Sequence, residues 1–413
     1  TLVNGLAGVG KTTMLSAIKP LCDENKVKMI GIAPTNSAAN EVKDKGIESY
    51  TVDSFLNKLA KAYKDKAFDK NEKVLLVLDE SSMASTKKLN RILTLTKDAN
   101  YRLAFIGDVN QLASIEQGKM FRFLQKAGVE TTFVNDIIRQ KDSPKYLGYV
   151  KELYKGNYSS VINKMQKDNC VFTNDDILKQ NTHLNKDDIA GFAYARCDFL
   201  SDTLIAKDLD TRINTRVVTP ANKDRKLFNA LYREKLQEIG EISQKEFKAD
   251  ILVDARLNSS EKFYSHNFDI GQVMKFNSNF ADNDIKKGDY LTIKDIDYAK
   301  NYLNLKNSKG KSIAFNLSTL KSDNAWKATI YNTEVRNIAV GDNIRWSNTD
   351  KKQDRVNMDE VSVIGINQKE AIVKDKDGNT KTLEYTKDNS KHWDYAYAGT
   401  AYTEQGKTAK HVA

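Results

Sequence analysis

A chain of 413 residues, 40% hydrophobic and 29% charged, is long enough for about two to four domains with substantial cores. No apolar run approaches the ~18 residues that a membrane span needs and no leader pattern opens the chain, so it is expected to be cytoplasmic, without membrane insertion. The net charge of +10 favours a polyanionic partner, although a lysine-rich solvated surface gives the same number. Cys22, Cys170 and Cys197 are scattered without CxxC spacing, and His183, His266, His392 and His411 are equally dispersed. That spacing offers neither a disulfide framework nor a zinc site, and the cysteines are expected to be buried apolar fillers.

The opening run GLAGVGKTT places Gly5, Gly10, Lys11 and Thr12 in the pattern G-x-x-x-x-G-K-[ST], a loop that wraps nucleotide phosphates between a strand and a helix. Gly5, Gly8 and Gly10 let the backbone turn its N–H groups toward the β-phosphate. Lys11 carries charge to the β/γ oxygens, Thr12 offers a hydroxyl to Mg²⁺, and Thr13 completes the loop. The helix that follows, with Leu15, Ile18 and Leu21 on one stripe, aims its positive end at the same anion. Only Thr1 to Asn4 remain of the feeding strand and no initiator Met precedes them, which reads as a piece of something longer.

Val27 to Ala33, Val74 to Leu78 and Leu103 to Ile106 are continuous apolar runs suited to parallel strands covered on both faces, so residues 1–140 read as an α/β domain. The second run ends in Asp79-Glu80-Ser81-Ser82-Met83. In a phosphate-loop site Asp79 belongs near Mg²⁺ and Glu80 polarises the attacking water, which makes hydrolysis the natural reaction. The third run continues as Gly107-Asp108-Val109-Asn110-Gln111-Leu112-Ala113-Ser114-Ile115 and ends at Gly118; the Gln111 amide is suited to sensing a γ-phosphate. Residues 141–212 read as a polar helical connector, with Tyr146 to Tyr154 and Tyr158 to Met165 as helices. Thr215 to Thr219 open a second α/β unit, 213–245, whose helix carries Leu227, Leu231 and Leu236. Period-two alternation marks 246–387 as β-rich, with Gly288-Asp289-Tyr290-Leu291 and Gly341-Asp342-Asn343-Ile344 as equivalent points of an approximate repeat, compatible with small β-barrels. Over 388–413 the second α/β unit returns, with a strand at Asp394 to Thr400 and a helix unfinished at Ala413.

In order and spacing, these motifs resemble those of superfamily 1 helicases of the 5′ to 3′ subclass. Further segments fit that resemblance. Ala33-Pro34-Thr35-Asn36-Ser37-Ala38-Ala39 looks like motif Ia, and Thr51-Val52-Asp53-Ser54-Phe55-Leu56 looks like motif Ib, where a strand is contacted. Ile138-Arg139-Gln140 looks like the segment whose arginine reaches across an interdomain cleft to the γ-phosphate. Tyr397 to Thr408 looks like motif V, although the family more often has His or a small polar residue where Tyr402 and Glu404 stand. Asn214 to Leu236, NTRVVTPANKDRKLFNALYREKL, looks like the helicase half of TraI-like conjugative relaxases.

The resemblance implies two RecA-like domains, the second incomplete, with an inserted SH3-like β-barrel region. It implies an ATP-dependent motor on single-stranded DNA serving conjugative transfer machinery, with ATP and Mg²⁺ as cofactors. Lys11, Asp79, Glu80, Gln111 and Arg139 serve catalysis, Thr12 and Asp79 the metal, and Thr35, Ser54, Thr219 and Gln405 the strand. Phe55, Tyr402 and Trp393 are open to base stacking or to ordinary core packing. The sequence carries no relaxase histidine triad and no final arginine motif, so impaired turnover is expected of it. A non-catalytic nucleic-acid-binding remnant, a RecD-like subunit and a viral-type RNA helicase remain open alternatives, and nothing in the sequence reads a 2′-hydroxyl.

Overall fold

The structure, a computed structural model, describes all residues except 66–68, 98, 112–118, 181–187, 321, 406 and 408. The chain divides into two compact units, Thr1–Arg196 with Ala401–Ala409, and Cys197–Thr400 with Lys410–Ala413. Among the described residues no helix is long and apolar enough to cross a membrane.

Six parallel strands form the first unit's sheet: β1 (Leu2–Gly5), β2 (Lys28–Ala33), β3 (Glu48–Thr51), β4 (Val74–Leu78), β5 (Tyr101–Gly107) and β6 (Thr131–Val134), in the order β3-β2-β4-β5-β1-β6. The sequence VLLVL of β4 is apolar throughout because both its faces are covered. Leu76 and Leu78 pack with Ile30, Ile32 and Phe55 on one face, and Val77 packs with Leu15, Met29 and Ile106 on the other. Each fully buried side chain of this size contributes about 2 kcal/mol. Helices α1 (Lys11–Glu24) and α2 (Asn36–Lys43) cover the second face; α3 (Val52–Lys64), α4 (Thr86–Thr96) and α5 (Met120–Lys126) cover the first. Thr35, Thr51 and Ser85 start α2, α3 and α4, each side-chain oxygen accepting from the N–H three residues on. The buried stripe of α1 is Leu15, Ile18 and Cys22; Leu21, expected on it, is 57% exposed. A 3.6-residue repeat from Leu15 returns at position 22, not 21.

Further helices follow: α6 (Pro144–Tyr154), α7 (Tyr158–Lys167), α8 (Asn174–Gln180), α9 (Ile189–Ile205) and α10 (Leu209–Ile213). Cys22 and Cys197 are buried as expected, whereas Cys170 is exposed, in the polar stretch just beyond α7.

The second unit takes in the end of α9 from Cys197 and α10, and then β7 (Thr215–Thr219) and α11 (Asn222–Glu238). There follow β8 (Glu246–Asp254), β9 (Val273–Phe276), β10 (Tyr290–Asp297), β11 (Tyr302–Lys306), β12 (Ser312–Asn316) and β13 (Ala328–Ala339), an antiparallel sheet in the order β12-β11-β10-β9-β13-β8. A second antiparallel sheet contains β14 (Asn343–Trp346), β15 (Glu360–Ile366), β16 (Glu370–Asp375), β17 (Thr380–Glu384) and β18 (Trp393–Tyr395), in the order β17-β16-β15-β14-β18. The chain then returns to β7, which β19 (Ala398–Thr400) and β20 (His411–Val412) flank in parallel, with the single turn α12 (Ala401–Glu404) between them in sequence. The expected α/β fold with a parallel P-loop sheet therefore stands, and the antiparallel sheets are inserted between β7 and its partner β19. Two local readings are corrected. Asp394 to Thr400 is two strands in different sheets, and the chain ends in a strand beside β7 where a helix was expected.

The internal repeat is present, but in another register. β9 to β12 recur as β14 to β17, with matching bridges Phe280–Ile285 and Asp350–Arg355 and matching bulges at Ile293/Asp295 and Val363/Gly365. Gly271 corresponds to Gly341, and Gly288 to Met358, both of the latter at positive φ (98° and 74°). The turn chemistry shared by Gly288-Asp289 and Gly341-Asp342 had suggested the wrong equivalence.

Candidate nucleotide site

The C-terminal ends of the adjacent strands β4, β5, β1 and β6 are where an open parallel sheet presents loops to a ligand. After β1 the loop turns through Gly8 (φ 82°) and Gly10 (φ 80°) into α1, a left-handed backbone that any side chain would strain. At Gly8 there is a second constraint: a Cβ would lie 2.9 Å from the Arg139 Cβ and 2.8 Å from Gln140 Oε1. The segment after β6 packs there because Gly8 O accepts from the amides of Ile138 (2.8 Å) and Arg139 (2.9 Å). Arg139, expected to reach in across an interdomain cleft, is thus held by backbone to the P-loop of its own unit.

A cavity of about 530 Å³ opens on this loop, lined by residues including Lys11, Thr12, Glu80, Gln111, Arg139 and Gln405. Gly8, Gly10 and Thr13 also line it, while Gly5, at the end of β1, gives its carbonyl to Lys11. Lys11 Nζ donates to the carbonyls of Gly5 (2.8 Å) and Leu6 (3.1 Å). Thr12 Oγ1 donates to Asp79 Oδ2 at 2.9 Å, and the Glu80 amide donates to Asp79 Oδ1 at 2.9 Å. Burial raises the Asp79 pKa above the usual carboxylate range, against these two bonds and the Lys11 charge. Glu80 sits in the left-handed region at φ 48°, and its Oε2 is buried without a partner. Burial, then the neighbouring Asp79 charge, pushes the Glu80 carboxyl up to about 7, with Lys11 opposing.

The oxygen-only pair of Thr12 hydroxyl and Asp79 carboxylate fits Mg²⁺, which typically takes one or two carboxylates and fills its remaining positions with water and phosphate. No larger group of His, Cys, Asp and Glu suited to a metal exists among the described residues.

The strand-contact residues fare differently. Thr35 caps α2, and Ser54 is exposed on the first turn of α3. Thr219 is 7% exposed, and its hydroxyl donates to the Gly399 carbonyl at 3.2 Å, tying β19 to β7; it is too buried to meet a strand. Gln405, also expected at the strand, instead lines the same cavity as Lys11, its Nε2 donating to Gln111 Oε1 at 3.3 Å with its own Oε1 buried and unpartnered. Glu404, where the family more often has His or a small polar residue, turns inward and pairs with Lys407 at 3.2 Å. Phe55 and Trp393 are core residues, 3% and 1% exposed, whereas Tyr402 is 41% exposed. Leu112, Ala113, Ser114, Ile115 and Gly118 of the third motif, with Gly406 and Thr408 of the last, lie outside the described residues. Glu41, Asp44 and Lys45 from the end of α2 line the cavity without any motif to announce them.

Residues 1–176 match the AAA domain family. The chain is 22% identical over 431 aligned positions to the multifunctional conjugation protein TraI of Escherichia coli strain K12, covering 98% of this chain and 24% of that protein. A probable conjugal transfer protein, TraA of Sinorhizobium fredii, is 26% identical over 242 positions, covering 58% of this chain and 20% of the relative. Among solved structures, the Pif1 helicase of Candida albicans superposes with a TM-score of 0.42 at 16% identity, covering 100% of this chain and 84% of the other. This chain spans about a quarter of the length of the TraI proteins that it matches. The likeness to TraI read from the motifs thus runs along nearly the whole chain.

Proposed function

We propose that this relative of the TraI conjugation proteins hydrolyses ATP and uses the reaction to move along single-stranded DNA. One observation carries the reading: Lys11, Thr12, Glu80, Gln111, Arg139 and Gln405, from five separate motifs, line one cavity at the end of one parallel sheet. The amides of the Gly8 to Thr12 turn and the Lys11 ammonium bind the β- and γ-phosphates. Thr12 and Asp79 would hold Mg²⁺, which would neutralise phosphate charge when bound. Glu80 accepts a proton from the water that attacks the γ-phosphorus; a new P–O bond forms as the bond to ADP breaks, leaving ADP and inorganic phosphate. Gln111 orients the water, and Arg139 faces the charge that develops on the transferred group. The DNA half of the reading is supported by the motif resemblance, the relatives' role in conjugation as their names state it, and the net charge of +10.

The test is ATP hydrolysis by the 413-residue chain with and without single-stranded DNA, beside Glu80→Gln. Slow turnover that DNA stimulates and Glu80→Gln abolishes is expected. Turnover indifferent to DNA would remove the motor, and equal turnover in the variant would remove Glu80 from the chemistry. Competition between DNA and RNA of one sequence reads the nucleic-acid class.

A further inference from the structure

Tyr154 ends α6, in a stretch that no sequence motif marks. Its hydroxyl accepts from the Ala7 amide at 2.7 Å and donates to Asp108 Oδ2 at 2.7 Å. Ala7 belongs to the P-loop, next to Gly8. Asp108 follows β5 and is fully buried. The other Asp108 oxygen accepts from the Asn110 amide at 2.9 Å, and its carbonyl accepts from the Gln111 amide at 3.2 Å. The turn that presents Gln111 to the cavity is therefore built around Asp108, and the Tyr154 hydroxyl joins Asp108 to the P-loop.

Few side chains can do this. The joint needs one atom that accepts from an amide and donates to a carboxylate, which a hydroxyl does and a carboxylate, ammonium or ring carbon does not. Burial, with Asp108 adding to it, raises the phenol's pKa, so the proton that the second bond requires stays in place. Tyr154 also walls a second cavity of about 600 Å³ together with Val109, Gln111, Phe121 and Leu153, so the Gln111 turn has open space on both sides; Val109 within it is held by Asn4 Oδ1, which accepts from its amide at 3.3 Å, and by Arg122, which donates to its carbonyl at 2.9 Å, whereas Asp108 is tied to the P-loop by Tyr154.

We propose that Tyr154 is a positioning residue for the γ-phosphate: by clamping Ala7 to Asp108 it sets the place of Gln111 over the P-loop, and so the preference for ATP over ADP. The inference rests on the nucleotide reading above. ADP has no group at the position that Gln111 senses, so loss of the clamp falls on ATP alone.

The experiment is equilibrium titration of the 413-residue chain with MgADP and with a non-hydrolysable MgATP analogue, for the parent, Tyr154→Phe, Gln111→Ala and the double variant. Removing a hydrogen bond to a buried charge should lower the ATP-over-ADP preference about tenfold in Tyr154→Phe, with MgADP affinity within about twofold of the parent. The double variant should lose no more than Gln111→Ala, because both act through one amide. An unchanged preference in folded Tyr154→Phe, or a further tenfold loss in the double variant, would overturn the proposal. If Tyr154→Phe does not fold, Asp108→Asn takes its place: it keeps the volume but leaves one oxygen for two donors, and the same loss is expected, an unchanged preference again overturning the idea. A parent that binds neither nucleotide would sink the nucleotide reading itself, an outcome distinct from a parent that discriminates and a variant that discriminates equally.

Discussion

Glu80 is held against two preferences at once, a left-handed backbone at φ 48° and a buried carboxyl with one unpartnered oxygen. The backbone alone costs a residue with a side chain about 1 kcal/mol or more, and such strain concentrates where chemistry is done. With its pKa pushed up to about 7, Glu80 is a competent base only when deprotonated. The kcat/KM for ATP hydrolysis should therefore climb with pH and inflect near 7, a limb that a pH–rate profile checks and that Glu80→Gln should lack. Stability should run the other way. The folded carboxyl binds its proton more tightly than the unfolded one, whose ordinary value is 4.5, so stability declines as pH rises from about 4.5 to 7 and stays lower above. Glu80→Gln should accordingly stabilise the chain by on the order of 2 kcal/mol at pH 8 and by nothing at pH 4, as urea unfolding at the two values would show. Lys11 is simpler: among the described residues its ammonium donates to the Gly5 and Leu6 carbonyls. Lys11→Ala should weaken MgATP binding at least tenfold, a loss of about 1.4 kcal/mol, while the melting temperature stays put.

Among the elements, α11 shows how a sequence signature can be structural. Arg225, Asn229 and Arg233 recur one turn apart, and each pins a neighbouring strand or loop. Arg225 bonds Asp394 at 2.7 Å, Asn229 accepts from the Ala398 amide at 2.8 Å, and Arg233 grips Asp342 at 2.8 and 3.0 Å. Asp342 is fully buried and also accepts from Tyr397 and from the Ala339 amide, so Asp342→Ala should cost about 3 kcal/mol by removing the two-pronged partner of the buried Arg233, which keeps Glu246 at 3.1 Å as a counter-charge, and by orphaning the Tyr397 and Ala339 donors. The repeat offers the opposite case. Arg355 lies over the Trp346 ring where the first repeat has Ile285, and its Nε has no partner. Arg355→Leu should destabilise the chain by only about 1–2 kcal/mol, since an apolar group already serves that position once in the same chain and the main bond lost is the one from Nη2 to the Thr382 carbonyl at 2.8 Å.

What the sequence made legible follows from signal strength. β4 was plain because both its faces are covered. β3 and β6 lie at the sheet's edges with residues such as Glu48 and Thr131, and carried no apolar run to read. Lys11, Asp79 and Glu80 sit in contiguous motifs, whereas Tyr154 lies 147 residues from its partner Ala7, and Gln405 lies 294 from Gln111. No local pattern encodes such pairs.

At the scale of the whole molecule, the charge of +10 and the nucleotide cavity become one device only if the two ligands affect each other. Charge alone predicts that binding of single-stranded DNA weakens with salt, by about −0.7 in log–log slope per phosphate neutralised, with little sequence preference. A passive basic surface would do the same. A motor must in addition bind the strand differently in its nucleotide states, and linkage makes that difference reciprocal: whatever factor a MgATP analogue applies to DNA affinity, DNA applies to the affinity for the analogue. Couplings of this kind run from about five- to 150-fold. We therefore expect the two titrations, DNA with and without analogue and analogue with and without DNA, to return one common factor of at least about fivefold. They should do so at every salt concentration at which DNA binding can be measured, since screening weakens the strand contact without removing the cycle. A factor of one in both directions would leave a chain that binds nucleotide and strand independently, and the basic surface would then be a tether instead of part of an engine.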